Sequence, residues 1–269
     1  MINGEITGEI AATDRGLHYG DGLFETMAVV DSRPRLWTAH MARLQRGCEV
    51  LRLPTPDLQL LQDEAYALSA GSERAVLKVM ITRGSGGRGY RPPQEAVPQR
   101  LLFRYPWPDY PEPSQGLRLR ICQTPLACNP ALAGIKHLNR LEQVLARAEW
   151  DDPTIHEGLM CDLDGMVKEG TMSNLFWVQD GRLYTPDLSR CGVAGVMRGQ
   201  VMALARDLGI SVMLDEVHPD ELAQMDEVFL TNSLIGIWPV AHLAGRDLAV
   251  GELTEGLRSV LQSRLEVEG

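Results

Sequence analysis

The chain contains little lysine: three lysines stand against 23 arginines in its 269 residues. One of them, Lys136, lies in the segment GIKHLNRLEQ, and the other two are Lys78 and Lys168. An arginine guanidinium stays protonated at any working pH, whereas a desolvated lysine amine can lose its proton and attack a carbonyl. Because the sequence otherwise uses arginine for positive charge, Lys136 is a candidate nucleophile.

The chain also has fewer basic residues than acidic residues. The formal net charge is −10, which disfavours nucleic acid and an anionic membrane surface as partners. The segment MINGEITGEI (1–10) lacks the basic n-region and the apolar h-region of a signal peptide, and no apolar run reaches the ~18 residues that span a bilayer. We therefore expect a soluble, cytoplasmic protein, in which an anionic small substrate would need local arginines to overcome the field of the chain.

Cysteine pairs and metal-binding motifs are absent from the sequence. The chain has five cysteines, Cys48, Cys122, Cys128, Cys161 and Cys191, and none of them forms a CxxC pair. We expect reduced thiols, with no disulfide and no zinc. No HExxH or other ligand spacing appears, so we predict no metal. The lack of GxSxG removes the simplest serine-hydrolase interpretation.

A glycine-rich segment, GSGGRG (84–89), fits the GxGxxG pattern of dinucleotide-binding folds. That pattern requires a helix directly after the glycines, whose N-terminus holds a pyrophosphate. Here the sequence continues YRPP, and the prolines at 92 and 93 oppose such a helix. We interpret the segment as a mobile, arginine-bearing loop beside a site.

Hydrophobic periodicity predicts an α/β (α+β) chain of two domains. The proline-rich segment YPWPDYPEPSQG (105–116) indicates the boundary, so we predict a smaller N-terminal domain at 1–111 and a larger C-terminal domain at 112–269 that carries Lys136. The predicted elements are strands at 1–10, 23–37, 75–84, 100–106, 117–123, 157–163, 172–178, 211–217 and 226–231, and helices at 38–53, 57–70, 138–150, 196–208 and from about 251.

Four features of the sequence, considered together with these predicted elements, indicate one kind of site. Taken alone, Arg43 is an ordinary solvated arginine, Glu169 a turn carboxylate, and GVAGVMR (192–198) a loop entering a helix. Together with Lys136 they supply what pyridoxal phosphate needs. A lysine forms a Schiff base with the cofactor, a carboxylate keeps the pyridine nitrogen protonated, and an arginine and free helix N–H groups take the phosphate.

Seven segments carry a resemblance to a known family. They are DRGLHYGDGLFET (14–26), HMARL (40–44), RGSGGRGY (83–90), AGIKHLNRLEQV (133–144), EGTMSNLFW (169–177), GVAGVMR (192–198) and TNSLIGIWPV (231–240). In order and spacing the chain resembles the fold-type IV pyridoxal-phosphate enzymes, which include the branched-chain and D-amino-acid aminotransferases. The resemblance implies the two-domain architecture of D-amino-acid aminotransferase, pyridoxal 5'-phosphate as cofactor and a homodimer.

The resemblance also implies roles for individual residues. Lys136 matches the Schiff-base lysine, Glu169 the partner of the pyridine nitrogen, and Thr26 a threonine that assists proton transfer. The phosphate-binding positions are matched by Arg43, by the backbone amides of Val196 and Met197, and by the hydroxyl of Ser233. Leu141 stands where branched-chain aminotransferases have a tyrosine near the phenolic oxygen of the cofactor, so the contact to that oxygen stays unassigned.

Two segments, GSGGRGY and GIKHLNRLEQ, resemble the aminodeoxychorismate lyase branch of the family. They imply conversion of 4-amino-4-deoxychorismate into 4-aminobenzoate and pyruvate, a step of folate biosynthesis. Arg88 and Tyr90, and after them Arg83 and Asn139, are the candidates for the carboxylates of the substrate. Two other functions are open: an aminotransferase of the same fold acting on D- or branched-chain amino acids, and a protein that holds the cofactor without turnover.

Overall fold

The structure, a computed structural model, describes residues 1–110 and 116–267. These residues form two compact units. Unit 1 contains Met1–Pro108 and Ile135–Asn139, and unit 2 contains Asp109–Gly134 and Arg140–Val267. The predicted domain boundary, between residues 111 and 112, lies outside the described residues. Lys136 belongs to unit 1, which differs from the prediction that the C-terminal domain carries it.

Unit 1 is built on a four-stranded antiparallel sheet in the order β2-β1-β3-β4. Its elements are α1 (Arg15–Tyr19), β1 (Gly22–Val30), β2 (Arg33–Pro34), α2 (Trp37–Leu51), α3 (Leu58–Ser69), β3 (Arg74–Thr82) and β4 (Gln99–Pro106). The predicted strand at 1–10 is wrong, because Ile2 makes only isolated bridges and the side chains of Ile6 and Ile10 lie exposed. Only the first residues meet β4, where the N–H of Asn3 donates to the carbonyl of Arg100 at 2.9 Å, and the rest of the segment has no buried face to hold it in a sheet.

Helix α2 follows the predicted helical spacing of apolar residues. Met41, Leu44 and Cys48 are buried, because residues three and four apart lie on one face of a helix. The helix packs closely on the sheet at Gly47, where a Cβ atom would lie 2.7 Å from Cδ2 of Leu23 on β1. This contact explains the glycine in an otherwise helix-forming sequence.

Unit 2 is built on a nine-stranded sheet in the order β10-β9-β8-β11-β12-β5-β6-β7, with β13 paired to β12. Because β7 also pairs with β8, six strands close into a barrel. The strands are β5 (Leu117–Ile121), β6 (Glu157–Cys161), β7 (Val167–Gly170), β8 (Asn174–Gln179), β9 (Arg182–Pro186), β10 (Val212–Asp215), β11 (Glu227–Asn232), β12 (Gly236–Leu243) and β13 (Arg246–Asp247). The helices are α4 (Leu141–Arg147), α5 (Val196–Asp207), α6 (Pro219–Leu222) and α7 (Glu252–Val267).

The core of unit 2 is formed by large apolar side chains of these strands. Leu159, Leu175, Trp177, Leu230 and Trp238 are all buried in one cluster. Fully burying each such side chain stabilises the fold by about 1.5–3 kcal/mol. Helix α4 is shorter than the predicted helix at 138–150, because residues 135–139 pair with β1 instead of joining the helix. Among the described residues, no helix combines the length and the apolar character that a membrane span requires.

Candidate active site

The backbone around Lys136 extends the sheet of unit 1. The N–H of Phe24 donates to the carbonyl of Lys136 at 2.9 Å, and the N–H of Leu138 donates to the carbonyl of Gly22 at 3.0 Å. A bridge between Leu23 and His137 lies between them. These contacts join residues more than a hundred positions apart, and they fix the direction in which the Lys136 side chain leaves the backbone.

The side chain of Lys136 is half-buried, and its Nζ lies 4.4 Å from the centroid of the Phe24 ring. A second lysine borders the same ring, because Nζ of Lys78 lies 5.2 Å from that centroid. Lys78 is opposite Thr26 in the register of β1 and β3. Thr26 follows Phe24 by two residues and so projects from the same face of β1. Two of the three lysines therefore lie at one aromatic ring, on the face of β1 that also carries the predicted proton-transfer threonine.

The opposite face of β1 carries a buried charge network. Glu25 accepts hydrogen bonds from Nε and Nη2 of Arg43 at 2.9 and 2.5 Å, and it lies 2.6 Å from Nδ1 of His40. Glu25 and His40 are 1 % and 0 % exposed. Arg43, the predicted phosphate-binding residue, thus has its guanidinium oriented by a bidentate contact from the sheet.

Charges in this network follow from their surroundings. Burial by itself raises the pKa of Glu25, but the charge of Arg43 and the hydrogen bonds from Arg43 and His40 outweigh it and lower the pKa to about 2. Burial lowers the pKa of His40 by more than the contact with Glu25 raises it. At pH 7 Glu25 is therefore ionised and His40 neutral. Since a carboxylate only accepts, Nδ1 of His40 carries the proton.

Glu25 and His40 were not among the residues singled out in the sequence. The signal was present, because strand alternation puts Glu25 on the same face as the apolar residues Leu23 and Met27. A carboxylate at such a position needs a cationic partner, and HMARL supplies one on the following helix.

The predicted substrate residue Arg83 is 4 % exposed and has its donors engaged within unit 1. Its guanidinium makes two contacts with Asp21, at 2.8 and 2.9 Å. It also donates to the carbonyls of Leu51 and Arg52 at 2.8 and 2.9 Å. Arg83 thereby connects the end of β3 to the C-terminus of α2, which is the contact pattern of a residue that supports the fold.

The glycine-rich loop is held by a second buried arginine. Nε of Arg15 donates to Asp21 at 2.8 Å, while its other nitrogens donate to the carbonyls of Gly89 and Tyr90 at 2.9 and 3.1 Å. The side chain of Tyr90 is 86 % exposed, and Arg88 is exposed too. The loop therefore has a fixed backbone at 89–90 and presents these two predicted side chains outward.

The predicted residue Asn139 lies at the end of the segment that pairs with β1. Its Nδ2 donates to the carbonyl of Gly20 at 3.1 Å. Gly20 has φ of +62°, and a Cβ atom there would lie 2.5 Å from Oδ1 of Asn139. Glycine at this position permits both the left-handed backbone and the close approach of the amide.

In unit 2, Glu169 lies on β7 and is buried, so it is a strand residue rather than a turn residue. Its Oε2 accepts a hydrogen bond from the N–H of Val193 at 2.8 Å, and Nδ2 of Asn174 lies 3.4 Å away. The same Nδ2 donates to the carbonyl of Val193 at 2.9 Å. Asn174, which the sequence analysis did not assign, therefore fixes the loop that orients Glu169.

The N-terminus of α5 approaches the same asparagine. Its N-cap is Gly195, which offers no side chain to the free N–H groups of Val196 and Met197. A Cβ atom on Gly195 would lie 1.9 Å from Oδ1 of Asn174, so only glycine fits. Within unit 2, Asn174 thus contacts both the buried carboxylate of Glu169 and the loop that leads to a helix N-terminus without a side-chain cap.

Two further predicted positions lie elsewhere. Ser233 is half-buried in the turn after β11, where Oδ1 of Asn232 accepts from the N–H groups of Leu234 and Ile235 at 2.9 and 3.0 Å. Leu141 is the first residue of α4, and its side chain is 76 % exposed.

Comparison with known proteins places these features in a family. Residues 22–243 match the amino-transferase class IV family. The chain belongs to that family. The class IV match covers every predicted site residue, Lys136, Glu169 and Arg43 among them, and it confirms the resemblance found in the sequence together with the fold-type IV architecture.

Individual relatives of this class IV chain include both lyases and aminotransferases. The aminodeoxychorismate lyase of Vibrio harveyi is 35 % identical, covering 97 % of this chain and 99 % of the relative. The structure of 4-amino-4-deoxychorismate lyase from Pseudomonas aeruginosa is 50 % identical with a TM-score of 0.95, covering 99 % of each chain. The branched-chain amino acid aminotransferase of Escherichia coli is 25 % identical with a TM-score of 0.88, covering 99 % of this chain and 94 % of that one.

Proposed function

We propose that the protein is a pyridoxal-phosphate-dependent lyase that converts 4-amino-4-deoxychorismate into 4-aminobenzoate and pyruvate. The observation that carries this proposal is the 50 % identity to the Pseudomonas aeruginosa lyase over 99 % of both chains. The aminotransferase from Escherichia coli, which shares the fold, is only 25 % identical. The aminotransferase function is therefore the second candidate.

The donors of unit 2 fit pyridoxal phosphate. Val196 and Met197 offer first-turn N–H groups at an uncapped helix N-terminus, where the helix dipole favours a phosphate. We add the hydroxyl of Ser233 to this phosphate set. Glu169 is already oriented by the N–H of Val193, as a carboxylate that pairs with a protonated ring nitrogen must be. When bound, the cofactor supplies an electron sink for the reacting carbon.

The residues of unit 1 supply the amine and the proton transfers. We assign two roles to Nζ of Lys136: it would hold the cofactor through a covalent bond, and, as an unprotonated amine released from that bond, it would remove the proton from the amine-bearing ring carbon of the substrate. Lys136, which borders the Phe24 ring, and Thr26, which shares a face of β1 with Phe24, are assigned to deliver a proton to the enolpyruvyl methylene. Pyruvate then leaves and an aromatic ring remains, which makes the reaction strongly favourable. Arg43, oriented by Glu25, is assigned to the phosphate.

Substrate recognition is assigned to the glycine-rich loop. Arg88 and Tyr90 present their side chains outward from a backbone that Arg15 holds, and a charge-assisted contact to a carboxylate from such a loop is worth about 1.5–3 kcal/mol. Asn139 stays a candidate for the same role. Arg83 is left out, because its donors bind Asp21 and two backbone carbonyls.

The resemblance to fold-type IV enzymes also supports a homodimer, and we propose that state for the active protein. Light scattering on active protein should give about twice the 29.8 kDa mass of the chain. A mass near that of one chain would contradict the proposal. The cytoplasmic location expected from the sequence stays a prediction.

Two coupled assays test the proposed reaction against the aminotransferase. Pyruvate release from 4-amino-4-deoxychorismate is followed through lactate dehydrogenase, and 2-oxo acid formation is followed with leucine and D-alanine as amino donors. A lyase releases pyruvate quickly and gives little 2-oxo acid from either amino acid. The opposite pattern would assign the protein to the aminotransferases of the family.

A further inference from the structure

Two cysteines of unit 2 lie side by side although they are 63 positions apart in the chain. The Sγ atoms of Cys128 and Cys191 and a carboxylate oxygen of Asp162 all lie within 4.8 Å of one another. All five cysteines of the chain are free thiols in the structure. We propose that Cys128 and Cys191 are an oxidation site, at which a peroxide converts the two thiols into a reversible disulfide.

The alternative use of this cluster is to hold a thiophilic metal ion, since two sulfurs and a carboxylate are suitable ligands. The carboxylate of Asp162 is already engaged. Its Oδ2 lies 3.3 Å from the ammonium of Lys168, and its Oδ1 accepts from the N–H groups of Asp164 and Met166, both at 3.0 Å. A cation bound here would face the positive charge of Lys168, so the neighbours favour thiol chemistry.

The two thiols differ in the way that a disulfide-forming pair requires. Cys128 is half-buried and so can be reached from solvent. Cys191 is buried, and burial, followed by the proximity of Cys128, raises the pKa of its thiol to about 12. Because the thiolate is the nucleophile and must be reached by the oxidant, Cys128 is the attacking residue. Cys191 is the resolving residue, which meets an already oxidised sulfur.

The chemistry balances with one molecule of hydrogen peroxide. Sγ of Cys128 attacks a peroxide oxygen and the O–O bond breaks. One water is released, and Cys128 becomes a sulfenic acid. Sγ of Cys191 then attacks that sulfur, the S–O bond breaks, and a second water leaves as the S–S bond forms. Each sulfur is oxidised by one electron, and the peroxide is reduced by two electrons to two waters.

The disulfide would join two loops that are already in contact. The N–H of Gly134 donates to the carbonyl of Gly192 at 2.9 Å, and the N–H of Ala194 donates to the carbonyl of Gly134 at 3.1 Å. An S–S bond is about 2.05 Å long, so sulfurs as much as 4.8 Å apart must approach. That approach displaces the loop whose Val193 N–H orients Glu169. Oxidation should therefore weaken pyridoxal phosphate binding, a consequence that rests on the proposed function.

Peptide mapping of the full-length protein tests the disulfide directly. The protein is treated with one equivalent of hydrogen peroxide, alkylated and digested with trypsin without reduction. The protein should lose about 2 Da, because two hydrogens leave, and the number of titratable thiols should fall from five to three. Peptides 121–136 and 191–198 should be found cross-linked, and dithiothreitol should release them. Fragmentation must place the bond at Cys128, because Cys122 lies in the same peptide.

Variants supply the controls. Cys128→Ser and Cys191→Ser should each abolish the cross-link, while Cys48→Ser should keep it, provided that circular dichroism shows all three to be folded. A bond through Cys122 or Cys161, or sulfinic acid without a cross-link, would overturn the assignment. Zinc retained by the reduced protein at one equivalent, and lost in both Cys128→Ser and Cys191→Ser, would identify a metal site instead.

The link to the cofactor has its own measurement. The dissociation constant of pyridoxal phosphate should rise about fivefold on oxidation, the equivalent of one hydrogen bond of about 1 kcal/mol. Equal constants would refute the link. A protein that binds no pyridoxal phosphate in either state would refute the proposed function, and the disulfide is judged by mapping alone.

Discussion

The buried Glu25 gives a stability prediction whose size and pH dependence both follow from the structure. Its pKa is lowered from the ordinary value of 4.5 to about 2, chiefly by Arg43 against the opposing effect of burial. A difference of about 2.5, at 1.36 kcal/mol for each pKa unit, corresponds to roughly 3 kcal/mol of stability. A depressed carboxylate contributes this stability above pH 4.5 and loses it as the pH falls from 4.5 towards 2.

We therefore expect Glu25→Gln to lower the free energy of unfolding of unit 1 by roughly 3 kcal/mol at pH 7 and by only about 1.4 kcal/mol at pH 3. Urea denaturation followed by circular dichroism at both pH values measures the two differences. Cys48 is the one cysteine within residues 1–108. The extent to which a thiol-reactive mass tag labels Cys48 at pH 7 therefore reports the unfolding of unit 1 and assigns the transition to it.

The matched control is Glu64→Gln, which breaks another paired carboxylate of unit 1. Glu64 binds Arg100 at 2.6 and 3.0 Å, and this arginine is 17 % exposed against 10 % for Arg43. The better-hydrated pair should cost less to break. Equal losses for Glu25→Gln at pH 7 and pH 3, or wild-type stability at pH 7, would refute the reasoning.

Four further predictions concern the proposed cofactor and substrate. Lys136→Ala and Lys136→Arg should both abolish turnover and the borohydride-dependent fixation of the cofactor to the chain, because a guanidinium is not nucleophilic; fixation elsewhere, found by peptide mapping, would contradict the assignment. Glu169→Gln should retain the cofactor and lower kcat about 10- to 150-fold, the value of a charge-assisted contact, and a wild-type kcat would show that the carboxylate has no part in turnover. Gly195→Ala should weaken cofactor binding in calorimetry, because the new Cβ would lie 1.9 Å from Oδ1 of Asn174; an unchanged dissociation constant would disprove this. Arg88→Ala should raise the KM about 10- to 150-fold without changing the absorption spectrum of the cofactor, and an unchanged KM would move the substrate away from this loop.

Local patterns predicted much of the fold. The apolar spacing of α2 depends on neighbours within a few residues, and the buried face that it predicts was found. The predicted strand at 1–10 failed because only its first residues meet a neighbouring strand, at Leu101 of β4. Long-range pairing decides that question, and a single sequence does not display it.

The same limit applies to the candidate site. The position of Lys136 depends on Phe24, 112 residues earlier. The backbone N–H of Phe24 donates to the carbonyl of Lys136 and so holds this residue in unit 1. Arg83 looked available for a substrate in the sequence, but Asp21, 62 residues away, engages it. Motif resemblance indicated which residues belong to the proposed site. The contacts that orient those residues, such as that of Asn174 with Glu169, are visible only in the folded chain.

The proposed lyase reaction is tested by the products formed from 4-amino-4-deoxychorismate. Purified protein with pyridoxal phosphate is mixed with this substrate, and 4-aminobenzoate and pyruvate are quantified by liquid chromatography and mass spectrometry, with Lys136→Ala as the control. We expect equal molar amounts of the two products from the wild-type protein and neither from the variant. Transamination of leucine or D-alanine with no 4-aminobenzoate formed would contradict it.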